Sequence, residues 1–142
     1  MTSVTSLKNM TVLIADDDDV TRGLLRQVLR QCQLHVVGEA RDGKEALDAF
    51  RKHKPNILCL DVQMPEMNGL EALTAIRAEH PDAIVIMITG STTSEVIKGA
   101  IAAGADGIIA KPFSAAKILA EVTRCITRAE QKKTGAASPA AS

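Results

Sequence analysis

The sequence predicts an α/β fold, a doubly wound parallel sheet of five strands with helices on both faces. Three observations carry this. Short apolar runs begin near residues 11, 34, 57, 84 and 107, at spacings of 23, 23, 27 and 23 residues. Segments of helical periodicity fill the intervals, and strand alternating with helix is the pattern of a parallel sheet covered on both sides. Runs such as IleValIleMetIle (84–88) are apolar at consecutive positions, as a strand buried on both faces must be. Right-handed crossovers then leave few topologies. The segments do not resemble one another, so the regular spacing is not a repeat array.

ThrValLeuIleAla (11–15) is the first strand. Val20, Leu24, Leu25, Val28, Leu29 and Cys32 follow at helical spacing, with Asp19 a plausible cap. After the second strand, Asp42 and Glu45 have capping-box spacing ahead of Ala46, Leu47 and Phe50. IleLeuCysLeu (57–60) is the third strand; Asn68 then caps a helix carrying Leu70, Leu73 and Ile76, stopped before Pro81. The fourth strand precedes a stripe of Val96, Ile97, Ala100 and Ile101 that ends at Gly104. This fourth helix is the weakest, with Gly99 in its middle and β-branched residues at Thr92, Thr93, Val96, Ile97 and Ile101. A helix glycine costs about 1 kcal/mol against alanine, which makes this the element most easily shifted. GlyIleIleAla (107–110) closes the sheet, and Ser114 caps a helix with Ile118, Leu119, Val122, Cys125 and Ile126.

A chain of 142 residues with 46% hydrophobic content fits one domain with a full core. That domain is expected over 10–128, between a flexible 1–9 and a disordered Ala/Ser-rich tail at 129–142. Seventeen basic residues balance 17 acidic ones, so nothing advertises direct nucleic-acid binding. The N-terminus lacks the apolar core of a signal peptide, and the longest apolar run, 83–88, is far short of a membrane span. Cys32, Cys59 and Cys125 are odd in number and lack CxxC spacing, as for reduced thiols. These features suit a cytoplasmic protein without membrane insertion. With only Phe50 and Phe113 as aromatics, the composition argues against sites that need stacking on Tyr or Trp.

Function is concentrated at the ends of the strands. Asp16 and Asp17 follow the first strand, Asp61 the third, Thr89 the fourth, and Lys111-Pro112 the fifth. In an open parallel sheet the C-terminal strand ends form the ligand-binding edge. Three acids, a hydroxyl and a lysine would therefore share one pocket. Crowded carboxylates rise in pKa unless a cation relieves them, and Mg2+ suits oxygen ligands that include phosphate. Asp61 would be the nucleophile, forming an aspartyl phosphate. Such a transfer needs positioning and charge neutralisation more than covalent help. An X-Pro bond reaches the cis form at modest cost, which makes Pro112 a cis-proline candidate that could aim Lys111 across the pocket.

LeuIleAlaAspAspAsp (13–18), LeuCysLeuAspValGlnMetProGluMetAsnGly (58–69), IleMetIleThrGly (86–90) and AlaLysProPhe (110–113) together closely resemble the receiver domain of bacterial two-component response regulators, of the single-domain chemotaxis-regulator type. The resemblance covers 10–128. It implies a flavodoxin-like (βα)5 three-layer sandwich with sheet order 2-1-3-4-5. It also implies that Asp61 is the phosphoacceptor. Asp17, Asp61 and the backbone carbonyl of Gln63 would hold Mg2+ directly, with Mn2+ able to substitute, and Asp16 would act largely through water. Thr89 and Lys111 would contact the phosphoryl oxygens. The implied donor is a sensor histidine kinase or phosphotransfer protein. A downstream protein would bind the 92–128 face, including Lys98, Ile108, Lys117 and Glu121, with Ile108 exposed on an edge strand. The protein would be a monomer or a weak phosphorylation-dependent dimer. It would be no enzyme beyond phosphorylating and dephosphorylating its own Asp.

Two departures stand out. Receivers usually carry Tyr, Phe or His three residues before the lysine, as a switch partner to the Thr89 position; here it is Ile108. Isoleucine has no ring or hydroxyl and is stiff at χ1, so the signal is expected to travel through the 90–98 loop and the fourth helix. Val62 stands where some relatives have Trp, and the chain has no Trp or Tyr. Alternative readings are a receiver fragment of a longer regulator with a DNA-binding or enzymatic output, or an aspartate-nucleophile phosphatase. The haloacid-dehalogenase-like phosphatases need a second acid two residues after the nucleophile, where this chain has Gln63.

Overall fold

A computed structural model describes residues 9–134. The strands are β1 (Thr11–Ala15), β2 (His35–Ala40), β3 (Ile57–Asp61), β4 (Ile84–Thr89) and β5 (Gly107–Ala110). The helices are α1 (Asp19–Gln31), α2 (Gly43–His53), α3 (Gly69–Glu79), α4 (Ser94–Ala102) and α5 (Ala115–Thr134). All strand pairs are parallel, in the order β2-β1-β3-β4-β5. The flavodoxin-like order expected from the sequence is therefore the observed one.

The two-residue period of a strand sends alternate side chains to opposite faces, and this divides the core in two. Val12, Ile14, Ile57, Cys59, Ile86, Ile88 and Ile109 meet Leu25 and Leu29 of α1 and Ile118, Val122 and Ile126 of α5. Leu13, Leu58, Leu60, Val85 and Met87 meet Leu47 and Phe50 of α2, Leu73 and Ile76 of α3, and Ala100 of α4. The result is the expected three-layer sandwich.

Several local expectations are corrected. Asp18, not Asp19, caps α1, because its side chain accepts from the Thr21 N–H. Val20 and Leu24 share the helical stripe yet are 69% and 51% exposed, since the core takes Leu25 and Leu29 fully and Val28 and Cys32 in part. Asp42 does cap α2, but Glu45 accepts from the Arg41 N–H rather than closing a box. Asn68 and Glu71 form the complete box at α3. α5 continues to Thr134, past the expected start of the tail at 129. Ala129 still packs against the core one turn beyond Ile126, so the helix has apolar surface to bury there. The N-terminal segment 1–8 and the remainder of the expected tail, 135–142, lie outside the described residues. Ile108 is half-buried rather than exposed, because the alternation along β5 turns it into the layer under α4.

Candidate functional site

β1 and β3 are neighbours in the sheet, in register from Val12 with Ile57 to Ala15 with Leu60. The acids that follow them therefore emerge side by side. Asp16, Asp17 and Asp61 each offer a carboxylate oxygen, all within 4.8 Å of one another. Asp16 is 1% exposed and Asp61 5%, whereas Asp17 lies open to solvent. Two nearly buried carboxylates at this distance repel strongly unless a cation joins them.

Lys111 brings one cation from the end of β5. Its Nζ lies 3.0 Å from Asp16 Oδ2 and 3.5 Å from Asp61 Oδ2. The ammonium is close enough to serve both carboxylates, but its one positive charge is set against two negative ones. One lysine thus answers two carboxylates and satisfies neither fully. Burial pushes the Asp61 carboxyl above its ordinary range and Asp16 adds to this, while Lys111 and the Gln63 N–H oppose it. Burial lowers the Lys111 ammonium, but the two carboxylates outweigh it and hold the group above its usual value. The Lys111-Pro112 peptide bond is cis.

The backbone of the pocket is fixed by short-range bonds. The Asp18 N–H donates to Asp16 Oδ1 at 2.8 Å, and the Gln63 N–H approaches Asp61 Oδ1 at 3.4 Å. Gly69 donates its N–H to the Val62 carbonyl at 2.8 Å, and a Cβ there would lie 2.0 Å from the Asp61 carbonyl oxygen. Only glycine lets α3 begin so close to β3. The loop between them carries Gln63, which lines an open cavity with Asp17, Val62, Met64, Pro65 and Asn68.

Thr89 is at the same sheet edge, paired with Ala110 beside Lys111, and the Lys111 N–H donates to its carbonyl at 2.8 Å. Its hydroxyl is turned to the following loop. Thr89 Oγ1 donates to the Ser91 carbonyl at 3.1 Å and accepts from the Ser91 N–H at 3.0 Å. Ile108 packs under α4, and its N–H donates to Glu121 Oε2 at 3.2 Å. Glu121 accepts this N–H and pairs with Arg124.

Arg22 also reaches the site, and no sequence pattern marks it. Its Nη1 donates to the main-chain carbonyl of Asp16 at 2.8 Å, from a side chain only 12% exposed. An arginine one turn into a helix after an acidic run has no distinguishing pattern. Another cleft opens at the N-terminal ends of the strands, lined by Phe50, Asn56 and His80. Among the described residues, the strand-end acids form the sole cluster with metal-ligand spacing.

A parallel sheet with paired carboxylates at the ends of its central strands, faced by a lysine from the edge strand, defines a receiver-type pocket. The family model described as "Response regulator receiver domain" matches residues 12–123, and the chain belongs to that family. It is 39% identical over 110 residues to the chemotaxis protein CheY of Listeria monocytogenes, covering 78% of this chain and 92% of that protein. It is 37% identical over 113 residues to protein CcdB of Bacillus subtilis, covering 80% and 94%. Among solved structures, the CheX-CheY-BeF3-Mg+2 complex from Borrelia burgdorferi matches with a TM-score of 0.80 and 32% identity, over 82% of this chain and 89% of that one. The chain is a CheY-like receiver domain of two-component phosphorelay signalling, a family of signalling domains rather than of metabolic enzymes. Receivers bind Mg2+ at an acidic pocket, and the Asp cluster has the chemistry for it. No helix among the described residues is long and apolar enough to cross a membrane.

Proposed function

We propose that Asp61 accepts a phosphoryl group from a phosphohistidine on a sensor kinase or phosphotransfer protein. The observation that carries this is the under-neutralised cluster, in which the single Lys111 ammonium lies 3.0 Å from Asp16 and 3.5 Å from Asp61, both nearly buried. Asp16, Asp17, Asp61 and the Gln63 carbonyl are the residues that would hold Mg2+. The metal would supply positive charge to the phosphoryl oxygens.

An Asp61 carboxylate oxygen attacks phosphorus. The P–O bond forms as the P–N bond breaks, and the donor imidazole leaves with the electron pair. Lys111, already 3.5 Å from Asp61, stays with the new acyl phosphate and offsets its added charge. Thr89 is the readout. To donate to a phosphoryl oxygen, its hydroxyl must withdraw its one proton from the Ser91 carbonyl. That releases the loop leading into α4. Ile108 has no polar group with which to follow Thr89, so α4 and its loop carry the signal to a protein bound on the 92–128 face. Exposed Ile101 and Leu119 on α4 and α5 offer apolar contacts there.

Intact mass after incubation with acetyl phosphate and Mg2+ tests the reading. One added phosphoryl group is expected, absent from Asp61→Asn and absent with EDTA. An adduct that survives Asp61→Asn contradicts the assignment of the acceptor. Absence of an adduct from wild type that also fails to bind beryllofluoride contradicts the function.

A further inference from the structure

Asp16 is held at three points. Its N–H donates to the Ala40 carbonyl at 3.0 Å, its Oδ1 accepts from the Asp18 N–H at 2.8 Å, and its carbonyl accepts from Arg22 Nη1 at 2.8 Å. Asp17 follows, exposed, with no side-chain hydrogen bond among the described residues. Because a peptide unit is planar, fixing the Asp16 carbonyl fixes the plane of the peptide from which Asp17 projects. Arg22 therefore orients the peptide before Asp17, as the Asp16 carboxylate holds the one after it.

The guanidinium is itself well anchored. Nε donates to Glu39 Oε1 at 3.2 Å, and Nη2 pairs with the Asp19 carboxylate. Glu39 lies on β2, opposite Ile14 of β1, and also takes Arg26. The planar fork of an arginine serves three acceptors at once in a way that a lysine cannot. It links the edge strand, the first turn of α1 and the acidic turn after β1.

We propose that Arg22 is a positioning residue, holding the Asp16–Asp17 turn in the arrangement that takes Mg2+. This rests on the reading of the acidic pocket as a Mg2+ site. Positioning and simple charge make opposite predictions. Arg22 places a positive charge beside the acidic cluster, so Coulomb repulsion alone would make its removal tighten Mg2+ binding. If Arg22 positions the turn, its removal weakens binding, as loss of outer partners generally does at metal sites.

The test is calorimetric titration of Mg2+ into the full chain, since the protein has no Trp or Tyr to report by fluorescence. Arg22→Met is expected to weaken binding about 10-fold. Arg26→Gln, which removes the other cation on Glu39 but not the bond to the Asp16 carbonyl, is expected to bind like wild type. Unchanged or tighter binding by Arg22→Met overturns the inference, as does an equal loss in Arg26→Gln. If circular dichroism shows that Arg22→Met does not fold, Arg22→Lys replaces it, keeping the charge and losing the fork. The same loss is expected, and wild-type affinity overturns the proposal. Wild-type protein that binds no Mg2+ overturns the metal reading and this inference with it, an outcome distinct from wild-type binding that the variants leave intact.

Discussion

Lys111 is one cation set against two buried carboxylates, and the consequences can be measured residue by residue. Burial and Asp16 raise the Asp61 carboxyl in the metal-free fold. Its contribution to stability is thus fully present below the ordinary carboxyl value of 3.8 and is lost as pH rises through the raised value. Asp61→Asn keeps the shape and removes the charge. Without Mg2+ at pH 7 it should unfold at higher urea than wild type, with the gap closing toward about pH 4. Wild type as stable as the variant at pH 7 would refute this. The cysteines give a second residue-level test. Burial pushes the Cys59 thiol to about 12 and Cys125 to about 11, while Cys32 is only partly covered. In the folded protein at pH 8, a disulfide reagent should therefore modify Cys32 first. Cys59 and Cys125 should react only on unfolding, and simultaneous labelling of all three, read by mass, would contradict the burial. Little of this was legible in the sequence. The acids, Thr89 and Lys111 stood out because each ends an apolar run. Arg22 did not, because its role depends on a main-chain carbonyl that no side-chain pattern records.

Among the elements, α4 is the exception. It spans Ser94–Ala102, the shortest helix described, and buries only Ala100 fully. Its weak propensity was readable from Gly99 and the β-branched residues around it, and its small buried face agrees. A Cβ on Gly99 would meet nothing closer than Leu70 Cδ1 at 3.4 Å. Gly99→Ala should therefore stabilise the protein by about 0.5–1 kcal/mol. A urea melt that shows destabilisation would mean that Leu70 cannot give way. By contrast, the α1 stripe misled. Six apolar residues share helical spacing, yet Val20 and Leu24 face solvent. Periodicity finds the helix but cannot say how wide a strip of it the sheet will cover. The end of α5 misled in the other direction. Polar and small residues after 128 read as a tail, but Ala129 still finds the core.

At the scale of the whole molecule, the site is a product of topology. Asp16 and Asp61 are 45 residues apart in sequence and meet because β1 and β3 are adjacent. The strand runs and the convergence of their ends could be read from the chain, and the sheet order followed from the family resemblance. The state of Thr89 could not, since its hydroxyl is bound to Ser91 in the loop toward α4 rather than aimed at the carboxylates. On the proposed function, phosphorylation offers the one Thr89 proton a second acceptor, with α4 as the movable element and Ile108 as a passive neighbour. The most direct test is amide hydrogen exchange with and without beryllofluoride and Mg2+. Altered exchange is expected in residues 90–104, with the strands unchanged. Exchange in 90–104 that stays the same in a protein shown to have bound beryllofluoride would contradict it.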